Sequence, residues 1–125
     1  MGTWRRALTV AALVGVGGFA GSVLRYAVAL VVPGLGGTLA VNAVGSFALG
    51  ALVYEAVGSS ALGDGARTLL GTGFLSSLTT YSTFAVETAS VAPPLMAANV
   101  LANYALGFLG VVAGRALAVR YGGGA

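Results

Sequence analysis

Residues 68–86 carry no charge, yet seven of the eighteen positions from 69 to 86 are Ser or Thr and two are Gly. A run of that length crosses a hydrocarbon core of about 30 Å as a helix. Ser and Thr, however, bond neighbouring backbone groups and so compete with the helical ladder. Clustered beside glycine, they mark where a membrane helix comes apart. Backbone freed at that depth is tolerated only if it is buried in protein or faces a polar cavity. Interrupted membrane helices present carbonyl oxygens to cations and amide donors to anions. The segment Gly73-Phe74-Leu75-Ser76-Ser77-Leu78-Thr79-Thr80-Tyr81-Ser82-Thr83-Phe84 therefore reads as a broken membrane helix serving an ion. The competing reading is an unbroken helix whose hydroxyls bond back to their own carbonyls, and the residues alone leave both open.

The rest of the chain agrees on the solvent. Only 7% of its 125 residues are charged and 58% are hydrophobic, with a mean hydropathy of +0.96; soluble domains carry roughly a quarter charged residues. The class is an all-α integral membrane protein forming one domain over residues 1–125. The absence of Cys excludes disulfides and thiolate metal sites, and the absence of His excludes an imidazole base or ligand. Six arginines against three acids give a basic chain, but they are dispersed and form no stripe, so no nucleic-acid partner is expected.

Four hydrophobic spans are predicted at residues 7–32, 38–57, 66–90 and 95–119, each near the length a bilayer demands. The N-terminus imitates a secretory signal, with Arg5-Arg6 ahead of an apolar stretch. That stretch runs on to residue 32, broken only by Arg25, which favours an uncleaved first span. Residues 33–37 and 92–94 are read as turns, 58–65 as a polar loop, and the glycine-rich tail at 122–125 as frayed. Gly17 and Gly21 on the first span, and Gly110 and Gly114 on the fourth, lie four apart and allow close helix approach. With an even number of spans, Arg5, Arg6, Arg67, Arg115 and Arg120 share one side and only Arg25 the other. The positive-inside rule then places both termini in the cytoplasm, in a cell inner (plasma) membrane.

The buried polar residues fall on faces. Thr38, Asn42 and Ser46 recur every four residues on the second span, as do Asn99, Asn103 and Gly107 on the fourth. Asn42 and Asn103 serve either as interhelical glue or as partners of a permeant species. A bundle this thin encloses little by itself, so these groups are expected to meet those of another subunit. No catalytic constellation is present: Ser and Tyr have no base to activate them, and the carboxylates are too dispersed for a proton relay. The chemistry on offer is hydroxyls, amides, a few Arg and ring edges, which suits an anion. An aromatic ring is positive at its edge, and Tyr81 and Phe84 lie three apart.

At this point the chain resembles the fluoride channels called Fluc or CrcB. The resemblance is carried by Gly17-Gly18-Phe19-Ala20-Gly21-Ser22-Val23-Leu24-Arg25-Tyr26, by Gly37-Thr38-Leu39-Ala40-Val41-Asn42, and by the hydroxyl-rich segment above, with Asn99 and Asn103 in support. It implies an antiparallel dimer with two pores, passive fluoride export that relieves toxicity, and a structural Na+ on the dimer axis. The main-chain carbonyls of Ser76 and Thr79 would hold the sodium. Thr38, Asn42, Tyr81 and Phe84 would line the fluoride pore. Arg25, Thr80, Ser82, Thr83, Glu87 and Asn103 would be supporting polar or charged residues.

Several positions depart from the family pattern. Ser76-Ser77 stands where the family usually has Gly-Gly, Tyr81 where it usually has Phe, and Gly107 and Val111 where it often has hydroxyls. An antiparallel homodimer must insert both ways round, which calls for a weaker Arg bias than this one. A heterodimer with a paralogue of opposite topology, in which this chain is a non-conducting or half-conducting subunit, therefore stays open beside the homodimer. A small multidrug exporter is the weaker alternative, since the first span contains no acid.

Overall fold

The computed structural model describes residues 2–58 and 62–121. Two long helices, α1 (Thr3–Val31) and α2 (Leu35–Gly58), are followed by a divided segment. That segment consists of α3 (Asp64–Arg67), a π-helix π1 (Thr68–Leu75), a single turn α4 (Ser76–Leu78) and α5 (Ser82–Ala89). A last long helix, α6 (Pro93–Tyr121), completes the fold. Helices α1, α2 and α6 each contain a stretch long and apolar enough to cross a membrane. With an apolar exterior and no strand among the described residues, the molecule is an all-helical integral membrane protein.

Local chemistry explains most of the ends. Val32 precedes Pro33, a position disfavoured for helix, and has left helical geometry at φ −126°. Gly34 then takes φ 76°, a left-handed conformation that glycine adopts without strain. That one residue makes the turn, so residues 35–37, expected to be part of it, already belong to α2. Pro93 and Pro94, also expected as a turn, instead open α6. The first turn of a helix needs no internal N–H partner, which is why proline is accepted there. The expected loop at 58–65 shrinks from both sides, since Gly58 closes α2 and Asp64 opens α3. Residues 59–61 and the tail at 122–125 lie outside the described residues.

The helices associate as two pairs, α1 with π1 and α4, and α2 with α6. Both pairs rest on glycine. A methyl group at Gly17 would land on the Leu69 carbonyl oxygen, and one at Gly21 on that of Phe74. Gly73 returns the contact, its would-be Cβ 2.9 Å from the Val14 carbonyl oxygen. In the other pair, Gly114 meets the Phe47 carbonyl and Gly110 that of Ala43. Removing side chains lets backbones touch, which drives association where apolar bulk gains nothing over lipid. The glycine pairs noted in the sequence therefore lie at the two main seams, where Gly73 and Gly50 also pack against backbone.

Val41, Leu75 and Leu78 form a small apolar core, packed against Leu52 and Phe74. Most other large apolar residues face outward, Phe19 at 75% and Phe108 at 72% exposure among them. This is the expected pattern for a chain whose surroundings are hydrocarbon or another subunit.

Gly21→Val should lower the thermal unfolding midpoint in detergent, because overpacking of this kind costs about 1–3 kcal/mol. Gly15→Ala, where nothing lies within 4 Å of the added methyl, should instead raise it slightly, by the roughly 0.5–1 kcal/mol that glycine costs a helix interior.

Candidate ion site

The helical path of the divided segment ends at Leu78. Thr79 is extended (φ −79°, ψ 157°) and helix resumes only at Ser82. The interruption thus lies inside the predicted stretch and opens at Thr79, three residues after Ser76. The hydroxyls account for the delay. Ser76 Oγ donates to the Gly71 carbonyl at 3.1 Å and Thr79 Oγ1 to that of Leu75 at 2.9 Å. Back-bonding holds the coil together up to Leu78, so both readings of the hydroxyl cluster are partly realised.

Two interactions hold the break open. Asn42 on α2 grasps the Thr80 peptide from both sides: its Oδ1 accepts the Thr80 N–H at 2.8 Å, and its Nδ2 donates to the Thr80 carbonyl at 2.9 Å. In a continuous helix the Thr80 N–H would have bonded the Ser76 carbonyl, which is therefore deprived of its helical partner. Thr80 performs the second task. Its own Oγ1 accepts the Thr83 N–H at 3.1 Å, capping α5 as Thr does at many helix starts. The Thr83 N–H would otherwise have bonded the Thr79 carbonyl. Both carbonyls singled out in the sequence, Ser76 and Thr79, thus lose their helical donors. Oxygens of that kind fit a hard cation without any fixed negative charge.

A cavity opens on either side of the break, and Thr80 lines both. The first, about 360 Å³, is bounded by Asn42, Ser46, Ser76, Thr79, Tyr81, Phe84, Asn103 and Tyr104. The second, about 380 Å³, is bounded by Arg25, Thr38, Thr83 and Glu87 among others. In the second cavity the Thr38 hydroxyl donates to Glu87 Oε1. Arg25 and Glu87, distant in sequence, therefore share one chamber. Ser82 Oγ lies 3.5 Å from Thr80 Oγ1, at the mouth of α5.

The aromatic positions come together less symmetrically than the helical spacing suggests. Tyr81 belongs to the interruption and is 73% exposed, while Phe84 is 8% exposed. Their ring centroids are 5.7 Å apart with planes inclined at 50°. Phe84 also meets Tyr104 on α6 nearly at right angles, with centroids 6.4 Å apart. Tyr104 escaped the sequence reading because it falls one position away from the Asn99, Asn103 and Gly107 face.

Asn99 ties α6 to α5, and Asn103 braces Asn99 from the next turn. Asn99 Nδ2 donates to Thr88 Oγ1 at 2.8 Å, and Thr88 Oγ1 donates to the Phe84 carbonyl at 2.6 Å. Asn103 Nδ2 bonds both the carbonyl and Oδ1 of Asn99. Its own Oδ1 is buried without a hydrogen-bond donor. Charged groups away from the cavities meet where α2 ends, with Arg67 Nη2 lying 3.6 Å from Glu55 Oε2. Among the described residues there is no cluster of acidic ligands for a metal ion.

Fold and site together define a multi-pass membrane protein built around an interrupted helix flanked by two cavities, mostly apolar in lining but each bearing several polar side chains. Comparison with known proteins supplies the family. Residues 12–115 match the family described as CrcB-like protein, Camphor Resistance (CrcB), and the chain belongs to it. A relative from Halobacterium salinarum, named fluoride-specific ion channel FluC 2, is 62% identical over 86% of this chain and 84% of its own length. One from Haloarcula marismortui, named fluoride-specific ion channel FluC 1, is 57% identical over 90% of this chain and 87% of its own. A more distant relative from Methanosarcina mazei, also named FluC 2, is 43% identical over 82% of each chain.

Asn42→Ala should leave both Thr80 peptide groups unpaired, at a cost of about 1–3 kcal/mol each. Asn42→Asp keeps the acceptor but loses the donor and sets a carboxylate oxygen against the Thr80 carbonyl, so it should destabilise by more than the loss of that one bond. Thermal unfolding, together with faster hydrogen exchange at the Thr80 and Thr83 amides, checks both variants.

Proposed function

We propose that the protein is a fluoride-specific channel through which fluoride leaves the cell down its electrochemical gradient. The observation that carries this reading is the clamped break: Asn42, a neutral amide, holds open a helix beside Phe84 and between two cavities that present hydroxyl, amide and charged side chains. The relatives' names give the permeant ion its identity. A small, strongly hydrated anion needs hydrogen-bond donors and weakly positive edges in place of water. Thr38, Asn42, Tyr81 and Phe84 would line its path, Asn42 through the Nδ2 hydrogen that Thr80 leaves unused. Arg25, Thr83 and Glu87 would form the chamber beyond.

The carbonyls of Ser76 and Thr79 would hold a structural sodium ion, in company with those of a second subunit. The fit rests on their lost helical donors and on the preference of a hard cation for oxygen. When bound, the ion would supply a fixed positive charge and pin the interrupted backbone. Four membrane passages, with the divided segment as the third, would place both termini in the cytoplasm and the subunits antiparallel in the plasma membrane.

The arginine distribution supports a second reading, in which the antiparallel partner is a paralogue of opposite bias. The loss of hydroxyls at Gly107 and Val111 points the same way, although Ser46 partly compensates. A side-chain atom at position 107 would lie 3.6 Å from Ser46 Oγ, so α2 brings a hydroxyl to that place.

Fluoride efflux from liposomes containing this chain alone decides between the readings. A self-sufficient channel releases fluoride and retains chloride, and loses conductance when sodium is removed. Absence of flux that appears only on adding a second family member would indicate the paired subunit. Asn42→Asp, which sets a negative charge in the anion path, should abolish flux in a working channel. In a purely structural partner its effect should be confined to the fold around Thr80, read as a lower unfolding midpoint.

A further inference from the structure

We infer that the arginine-bearing end of the bundle binds the phosphate headgroups of anionic glycerophospholipids. Three contacts bring the charges to one end. Arg67 approaches Glu55 at the close of α2, and the Arg115 guanidinium lies 5.2 Å over the Tyr54 ring. A methyl at Gly65 would meet Leu13 on α1 at 3.7 Å, so the start of the divided segment sits beside the N-terminal part of α1. Arg5 and Arg6 lie about two turns further out along α1, and Arg120 more than a turn beyond Arg115.

This end holds five arginines against two acidic side chains, Glu55 and Asp64. Among the described residues the ion pairs involve Arg67 alone. Arg5, Arg6, Arg115 and Arg120 are exposed and pair with no carboxylate among the described residues. The charged groups toward the other end, Arg25 and Glu87, are instead partly buried in a shared chamber. The two ends therefore present different surfaces to the lipid.

The rings add a second and independent sign. Arg5 stacks 5.3 Å over Trp4 and Arg120 5.5 Å over Tyr121, with Trp4 62% and Tyr121 72% exposed. Exposed Trp and Tyr at helix ends sit at headgroup level. A guanidinium lying on a ring keeps its edge N–H groups free and held in a plane, the geometry that grips a phosphate through two parallel bonds. A zwitterionic headgroup is less well matched, because its ammonium would find only Asp64 exposed among the acids at this end. Polybasic ends near an anionic leaflet are attracted to it over about a Debye length.

The test uses the whole purified protein in neutral detergent at about 0.1 M salt, where screening extends over about 10 Å. Thermal unfolding is followed with phosphatidylglycerol, with phosphatidylcholine, and with inorganic phosphate as separate additions. Phosphatidylglycerol should raise the unfolding midpoint and the other two should not. The rise should disappear in R115Q/R120Q and in R5Q/R6Q, persist in R25Q, and collapse for the unmodified protein in 0.5 M salt. Should R115Q/R120Q fail to fold, R5Q/R6Q and the salt series decide. An equal rise with phosphatidylcholine, an equal rise with inorganic phosphate, or a full rise in the Arg→Gln variants overturns the inference. It rests on the membrane character of the chain and not on fluoride conduction, so a failed efflux assay leaves it standing.

Discussion

One side-chain amide determines how this molecule is put together. Asn42 offers the Thr80 peptide an acceptor and a donor at 2.8 and 2.9 Å, replacing the two bonds that a neighbouring turn of helix would have made. In a medium without water, an unpaired peptide group is costly. The segment can therefore leave its helical path at Thr79 only because a partner on another helix is already in place. The same contact joins the two helix pairs, since α2 belongs to one and the divided segment to the other. Thr38 with Glu87, the Thr79 methyl filling the space at Gly45, and Asn99 with Thr88 reinforce that junction.

The break is consequently made without charge and without glycine. Hydroxyls satisfy backbone on both sides: those of Ser76 and Thr79 close the turn before it, and that of Thr80 caps the helix after it. What remains is a pair of carbonyl oxygens with no helical donor, beside a peptide held rigidly by Asn42. Backbone oxygens and N–H groups brought this close give one short stretch of chain the means to meet ions of either sign. The serine pair that replaces the usual glycines is compatible with this arrangement because residues 76–78 remain helical. No left-handed conformation is required of them.

Much of the architecture was legible in the residues. Hydropathy implied the membrane class, the small-residue spacing of Gly17 with Gly21 and of Gly110 with Gly114 showed where close approach is possible, and the hydroxyl cluster marked the neighbourhood of the break. The boundaries were less legible, since proline and glycine mark turns without saying on which side of them a helix resumes. Pro93 opens a helix where a turn was expected, and Gly37 lies inside one. Of the candidate site, Thr38, Asn42, Thr80, Tyr81, Phe84 and Glu87 do converge around the break. Their partners were not readable, because a hydrogen bond between residues 38 apart follows from how two helices dock and leaves no periodic trace. Tyr104 lies one position off the polar face of α6, and its contact with Phe84 forms only across a helix interface.

By itself, the order of residues decided the solvent this chain folds in, the places where its helices approach closely, and the stretch where one of them weakens. Those properties depend on composition and local spacing, which act within one or two turns. The tertiary structure decided that Thr79, and not Ser76, begins the interruption, and that Asn42 is spent on the Thr80 peptide. It also decided that Arg25 and Glu87 share a chamber. The first combines local back-bonding by hydroxyls with a clamp from α2, the second is a donor and an acceptor on one helix meeting those on another, and the third follows from which helices dock. Only the packing of glycine-faced pairs brings those groups within reach.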